Sequence, residues 1–112
     1  MRRGEIWWAD LPIPTASEPG YRRPVLIVQS NYFTESRIRT VVVAAITTNT
    51  RLAEAPGNVL LEKAESPLER DSVANVSQLM TVDKGFLIEK VGELNTTMMG
   101  RISEGLQSLL SL

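Results

Sequence analysis

Gly20-Tyr21-Arg22-Arg23-Pro24-Val25-Leu26-Ile27-Val28-Gln29-Ser30 joins two adjacent cations to an unbroken apolar run, and the fold turns on how that run is read. Val25 to Val28 is β-branched or leucine at every position, with no polar alternation. That pattern predicts a strand covered on both faces, or the central strand of a small closed sheet. Pro24 has no N–H to give to a ladder, so it is expected to open the strand. Arg22 and Arg23 stand at the strand entrance. Taken alone they are a solvated edge; taken with the polar residues that other strands bring to the same end, they form a candidate binding site.

Working outward, Arg3 to Leu11 predicts a first strand in which Glu5, Trp7 and Ala9 alternate with Ile6, Trp8 and Asp10. The two tryptophans therefore face opposite ways, one into the core and one free to stack on a base or a partner chain, unless a small barrel buries both. Pro12 to Tyr21 is rich in proline and glycine and reads as a long irregular loop, a kind often used for function. Glu18 lies in it, five positions before Arg23. A hairpin folding back on Gly20 brings that carboxylate beside the guanidinium, as a surface ion pair or as an acid–base couple.

On the other side, Asn31 to Arg37 predicts a polar excursion with one helical turn, and Thr40 to Ile46 a second apolar strand. Thr47-Thr48-Asn49-Thr50-Arg51 follows, either as turn formers or, beside an arginine-bearing strand, as a polar pocket. Asn58 to Glu62 and Asp71 to Met80 predict two further strands. Thr81 to Lys84 reads as a short helical start capped by Asp83, and Leu87 to Leu94 as a last strand. A C-terminal helix capped by Asn95 or Thr96 carries Met98, Ile102, Leu106, Leu109 and Leu110 along one face. Together these elements predict an α+β fold: a small, half-open β-barrel with one C-terminal helix, occupying residues 1–112 as a single domain.

Composition limits the chemistry. The 112 residues include neither cysteine nor histidine. Disulfides, thiolate metal sites, Ser-His-Asp triads and histidine acid–base pairs are all excluded, which leaves Arg, Lys, Asp, Glu, Ser, Thr and Tyr for any catalysis. A formal net charge of −1 argues against coating nucleic acid by charge alone, so RNA binding would need a local basic patch. The N-terminus has no signal-peptide pattern and no apolar run is long enough to span a membrane. A soluble, cytoplasmic protein with no membrane partner is the expectation.

Arg3-Gly4-Glu5-Ile6-Trp7, Ser17-Glu18-Pro19-Gly20 with Arg23-Pro24-Val25-Leu26, Ala45-Ile46-Thr47, and Glu69-Arg70-Asp71-Ser72-Val73 with Gln78 resemble, in order and spacing, the MazF/PemK family of type II toxin–antitoxin mRNA interferases. The resemblance implies an SH3-like barrel assembled as a homodimer, an endoribonuclease that cuts single-stranded RNA, and no metal or cofactor. It also implies a cognate antitoxin whose disordered C-terminal segment covers the RNA groove, and contact with operator DNA only through that antitoxin. The family's catalytic arginine falls on Arg23, its threonine on Thr47 and a loop carboxylate on Glu18. Ser17, Arg22, Thr48 and Gln78 fall at or beside its RNA-binding positions. Pro19 departs from the pattern, since many members carry glutamine there.

This inventory suits RNA, whose own 2′-OH can attack the adjacent phosphorus. Arg23 can clamp the phosphate and stabilise its transition-state charge, Thr47 can donate a hydrogen bond, and Glu18 is the natural base for the 2′-OH proton. The alternative is a toxin of similar fold that grips DNA gyrase without chemistry.

Overall fold

In the computed structural model, which describes residues 1–12, 15–17 and 21–112, the apolar run forms the strand β2 (Tyr21–Ile27). Its side chains enter two different cores. Leu26 and, just beyond the strand, Val28 lie with Ile6, Ala44, Val76 and Met98. Val25 and Ile27 lie on the opposite face with Ala9, Val41, Val43 and Val82. An uninterrupted apolar sequence is what such a strand requires, and removing each of these side chains from water contributes roughly 1.5–3 kcal/mol.

Pro24 is the fourth residue of β2 rather than its first. The strand tolerates it because the two neighbouring ladders do not start together. Pairing with β1 (Glu5–Leu11) runs from Leu11↔Tyr21 to Ile6↔Leu26, whereas pairing with β3 (Thr40–Thr47) begins only at Val25↔Ala45. Pro24 therefore sits where β2 is still an edge on its β3 side, a position that suits a residue without an N–H.

The remaining strands are β4 (Val59–Leu61), β5 (Ser72–Asp83) and β6 (Leu87–Glu93). They complete one six-stranded antiparallel sheet of order β4-β5-β3-β2-β1-β6, curled into the expected half-barrel. β5 runs through Thr81–Asp83, where a helical start was expected, because these residues pair with Thr40–Val42. Asp83 does cap, but it caps the 3₁₀ turn Lys84–Phe86 that follows, accepting from the Gly85 N–H. The single helical turn expected after β2 is α1 (Asn31–Thr34), and a second 3₁₀ turn spans Thr50–Glu54.

The C-terminal helix α2 (Thr96–Leu110) starts at Asn95, whose side chain accepts from the Met98 N–H at 2.8 Å. Met98 and Ile102 are buried and Leu106 packs against the same core. Leu109 and Leu110, expected on this face, are 44% and 53% exposed, because the last turn of α2 has no sheet beneath it. Gly105 is the helix's close contact with the turn before β4: a Cβ there would collide with the Gly57 carbonyl oxygen. Among the described residues, no helix is long and apolar enough to cross a membrane.

The N-terminal motif serves as an anchor. Arg3 donates from Nε to the Val28 carbonyl (3.0 Å) and from a terminal nitrogen to Ser103 Oγ (3.1 Å), tying β1 to the end of β2 and to α2. Gly4 has φ +97°, a conformation that disfavours any side chain, and its backbone bonds both Ile27 and Leu94. Glu5 is buried, with one oxygen accepting from the Trp7 indole N–H and the Arg2 amide (both 3.0 Å) and the other 3.0 Å from Lys90 Nζ. Burial pushes its carboxyl up, but the hydrogen bonds from Trp7, Lys90 and Arg2, with the Lys90 charge, outweigh it and leave the pKa below its usual 4.5.

Two predictions test this packing. Gly105→Ala should lose about 1–3 kcal/mol in urea unfolding, because the added methyl meets backbone. Gly100→Ala, with nothing within 4 Å of its added Cβ, should instead hold or gain up to about 1 kcal/mol. Equal effects from the two would contradict the contact. For Glu5, a lowered native pKa means that its contribution is present above pH 4.5 and drains away as pH falls through the native value. Glu5→Gln should be less stable at neutral pH and should lose less on acidification below that point, as melting temperatures across a pH series would report.

Candidate functional site

The ladder Ile27↔Val43, Leu26↔Ala44, Val25↔Ala45 positions the polar end of the sheet. The ladder ends there, with Arg23 two residues before Val25 and Thr47 two residues after Ala45, at the open end of the pair. Alternate residues of a strand share a face, so Arg23 lies on the side of Val25 and Ile27, and Thr47 on the side of Ala45. Both are half-buried. The Thr47 hydroxyl oxygen accepts from the Asn49 N–H at 3.2 Å, which orients it and leaves its own proton available to a ligand.

β5 brings further polar groups to this face. Ala45 pairs with Asn75 and Ala44 with Leu79, so Val76 to Gln78 form a bulge without ladder partners. Asn75 alternates with Ala74 and Val76, both in the helix-side core, and so faces the Arg23 side. Its Oδ1 accepts from Ser77 Oγ at 2.8 Å, while the Ser77 N–H donates to Asn58 Oδ1 at 3.4 Å. Gln78, half-buried, alternates with Met80, which packs against the core of Val25 and Ile27. Arg23, Thr47 and Asn75 therefore come to one face, while Gln78 sits in the bulge itself. A lone asparagine among the apolar residues of a central strand was the available sign of Asn75, and sequence reasoning left it out of the site.

Arg22 and Thr48 go elsewhere. Trp8 pairs with Pro24, and both line a groove of about 620 Å³ together with Thr48, Ser72, Glu89 and Lys90. Trp8 and Pro24 alternate with Ile6 and Leu26, so this groove opens on the helix-side face, opposite Arg23. Arg22 lies over the Trp8 ring, its guanidinium carbon 5.3 Å from the ring centroid, a cation–π contact. Its pairing with Glu89 at 3.9 Å is between exposed groups and adds little. The two tryptophans do face opposite ways: Trp7 packs against the Ala9–Val25 core, and Trp8, half-buried, walls the groove. A second hollow, between α2 and β4, holds neither Arg23 nor Thr47.

Ser17 is exposed in the β1–β2 connection, which returns at the Arg23 end of the sheet. Glu18 and Pro19 lie outside the described residues. Ser72 is a framing residue: it is buried, and its hydroxyl donates to the Arg70 carbonyl at 2.9 Å. The adjacent Asp71 accepts from the Lys63 N–H at 2.9 Å and closes the loop between β4 and β5. Among the described residues, no group of three or more Asp or Glu carboxylates gathers in a way that could hold a metal ion.

The arrangement is a half-buried cation and a half-buried hydroxyl on one face at the open end of a strand pair, with amide and hydroxyl groups along the neighbouring strand, and it suits a phosphodiester. Residues 2–110 match the model of one family, described as the PemK-like, MazF-like toxin of type II toxin–antitoxin systems. Endoribonuclease MazF2 of Mycobacterium bovis is 46% identical over 112 residues, covering all of this chain and 98% of that protein. Endoribonuclease EndoA of Bacillus subtilis is 37% identical, with 100% and 96% covered. A solved mycobacterial endoribonuclease in complex with its cognate antitoxin superimposes with a TM-score of 0.81 at 27% identity, over 100% of this chain and 96% of that one.

Proposed function

This chain belongs to the PemK-like, MazF-like family of type II toxin–antitoxin toxins, and from that premise we propose that it is a metal-independent endoribonuclease that cuts single-stranded mRNA, and so arrests translation and growth. The observation that carries the reading is the β2–β3 ladder, whose open end leaves Arg23 and Thr47 each two residues beyond the Val25↔Ala45 pair and on its face of the sheet. The endoribonuclease names of its relatives support it. The gyrase-gripping alternative finds no support among them.

In the proposed reaction the 2′-OH attacks the adjacent phosphorus, the new O2′–P bond forms as the P–O5′ bond breaks, the leaving O5′ takes a proton from water, and the products end in a 2′,3′-cyclic phosphate and a 5′-hydroxyl. Arg23 donates to the non-bridging oxygens and offsets the charge that grows on them. Thr47 adds a neutral hydrogen bond. Glu18 takes the 2′-OH proton, and a group with a pKa above ~12 cannot replace it in that role. Ser17 and Gln78 contact the RNA beside the cut, and Asn75 and Ser77 extend that contact along β5. Arg22 and Thr48, on the other face, guide the strand rather than touch the scissile phosphate.

The antitoxin is the expected protein partner, a reading supported by the mycobacterial complex. In this proposal its C-terminal segment covers the RNA face, a homodimer shares that face between subunits, operator DNA is reached only through the antitoxin, and the protein works in the cytoplasm.

Cleavage should proceed in EDTA and stop when the ribose 5′ to the cut is replaced by deoxyribose. Products with 5′-phosphates, or strict dependence on Mg²⁺, would refute the mechanism. In single-turnover assays Arg23→Ala should slow the reaction about a hundred- to thousandfold and Thr47→Ala about ten- to a hundredfold. Arg22→Ala should spare the chemical step and make binding slightly less salt-dependent. A dead Arg22→Ala beside an active Arg23→Ala would place the site on the wrong face.

A further inference from the structure

At the end of the β2–β3 pair remote from Arg23, α1 carries two aromatic rings that neither core uses. Tyr32 is 79% exposed and Phe33 54%, with ring centroids 5.6 Å apart and planes at 86°. The backbone beneath them is firmly held: Phe33 and Thr34 donate to the Ser30 carbonyl, Glu35 to Asn31, and Lys84 Nζ to the Thr34 carbonyl at 2.7 Å. Thr34 is buried, with its hydroxyl bonded to Gln29. A rigid turn thus presents its two rings to solvent.

The charge around them is positive. Arg37 and Arg39 are exposed, and among the described residues neither forms an ion pair. Arg2 and Glu35 offset each other at 2.9 Å. With Lys84 and Asp83 nearby in sequence and pairing, four cations face two carboxylates on a chain whose net charge is −1. Exposed aromatic faces beside uncompensated arginines are how proteins hold single-stranded nucleic acid without reading its sequence.

We propose that this corner is an accessory platform for the single-stranded RNA flanking the cleavage site, with bases stacked on Tyr32 and Phe33 and phosphates on Arg37 and Arg39. The identity of the ligand rests on the ribonuclease reading, while the platform stands apart from the reacting groups. Five strand steps from Arg23 to Val28, at about 3.3 Å each, already separate them by roughly 16 Å. It therefore acts on affinity and not on bond breaking. A polyanion is favoured over a protein partner because the net charge of the patch is positive.

The test compares two RNAs containing the same mapped cleavage position, one short and one extended by single-stranded uridine tails, each with deoxyribose at the cut so that binding is read alone. Wild type should bind the extended RNA about tenfold or more tightly than the short one, and Tyr32→Ala/Phe33→Ala should abolish that advantage. The same variant should cleave the short, all-ribose RNA at the wild-type rate. Tyr32→Phe/Phe33→Tyr should keep the advantage, and Arg37→Ala/Arg39→Ala should flatten the salt dependence on extended RNA by about 1.4 in log–log slope. An undiminished advantage in Tyr32→Ala/Phe33→Ala overturns the platform, and loss of antitoxin affinity with RNA binding intact reassigns the patch to protein. If wild type cleaves but gains nothing from the tails, the platform fails and the ribonuclease reading survives. If it cleaves neither RNA yet the aromatic variant still loses extended-RNA affinity, the platform survives and the ribonuclease reading fails.

Discussion

A strand buried on both faces cannot slip. Moving β2 by one residue against β1 and β3 would exchange Val25 and Ile27 with Leu26 and Val28 between two differently shaped cores. It would also turn Arg23 toward the groove face and Arg22 toward Thr47. The double burial of four apolar residues therefore sets the register that defines the site. The packing that stabilises the sheet and the placement of its chemistry are the same constraint.

That constraint divides the polar end of the sheet into two unlike surfaces. On one, Arg23 and Thr47 stand beyond the apolar core of Val25 and Ile27 with Asn75 alongside, where partial removal from water would strengthen any charged hydrogen bond. On the other, Arg22 lies over Trp8, which walls the groove. Adjacent arginines thus receive different environments from the pleat alone. Much of the rest of the motif set is framework: Arg3 and Glu5 anchor the N-terminus, and Asp71 and Ser72 close the loop that borders the groove.

The close approach of α2 to the sheet belongs to the same economy of a short chain. Gly57 and Gly105 let backbone meet backbone, so the helix covers the core of Ile6, Leu26 and Val76 with Met98, Ile102 and parts of Met99 and Leu106. Its final turn is left uncovered, with Leu109 and Leu110 in solvent. The end of the sheet remote from Arg23 is finished by α1, where Ser30 and Lys84 satisfy backbone groups, Gln29 bonds the Thr34 hydroxyl, and the aromatic side chains are not needed for closure.

The sequence by itself determined the strand content, the doubly buried character of β2, a helix start at Asn95 or Thr96 and the opposite facing of Trp7 and Trp8. Each of these follows from local periodicity, backbone chemistry or capping, which a chain carries with it. It also supplied Arg23 and Thr47 through a resemblance to a known family. Only the tertiary structure decided the rest. That β5 continues through Thr81–Asp83 depends on a distant partner, Thr40–Val42, and that Pro24 is admitted mid-strand depends on where the β3 ladder begins. Leu109 and Leu110 keep the helical spacing of core residues but lie beyond the sheet. Arg22 and Thr48 are neighbours of site residues in the chain, yet the pleat sends Arg22 to the other face, and the turn after β3 places Thr48 there too. Asn75 joins the site because a bulge sets it opposite Ala45. Pairing between distant segments is not written in the spacing of either one, and it is this pairing that brings an arginine at a strand entrance to the same face as Thr47 and Asn75.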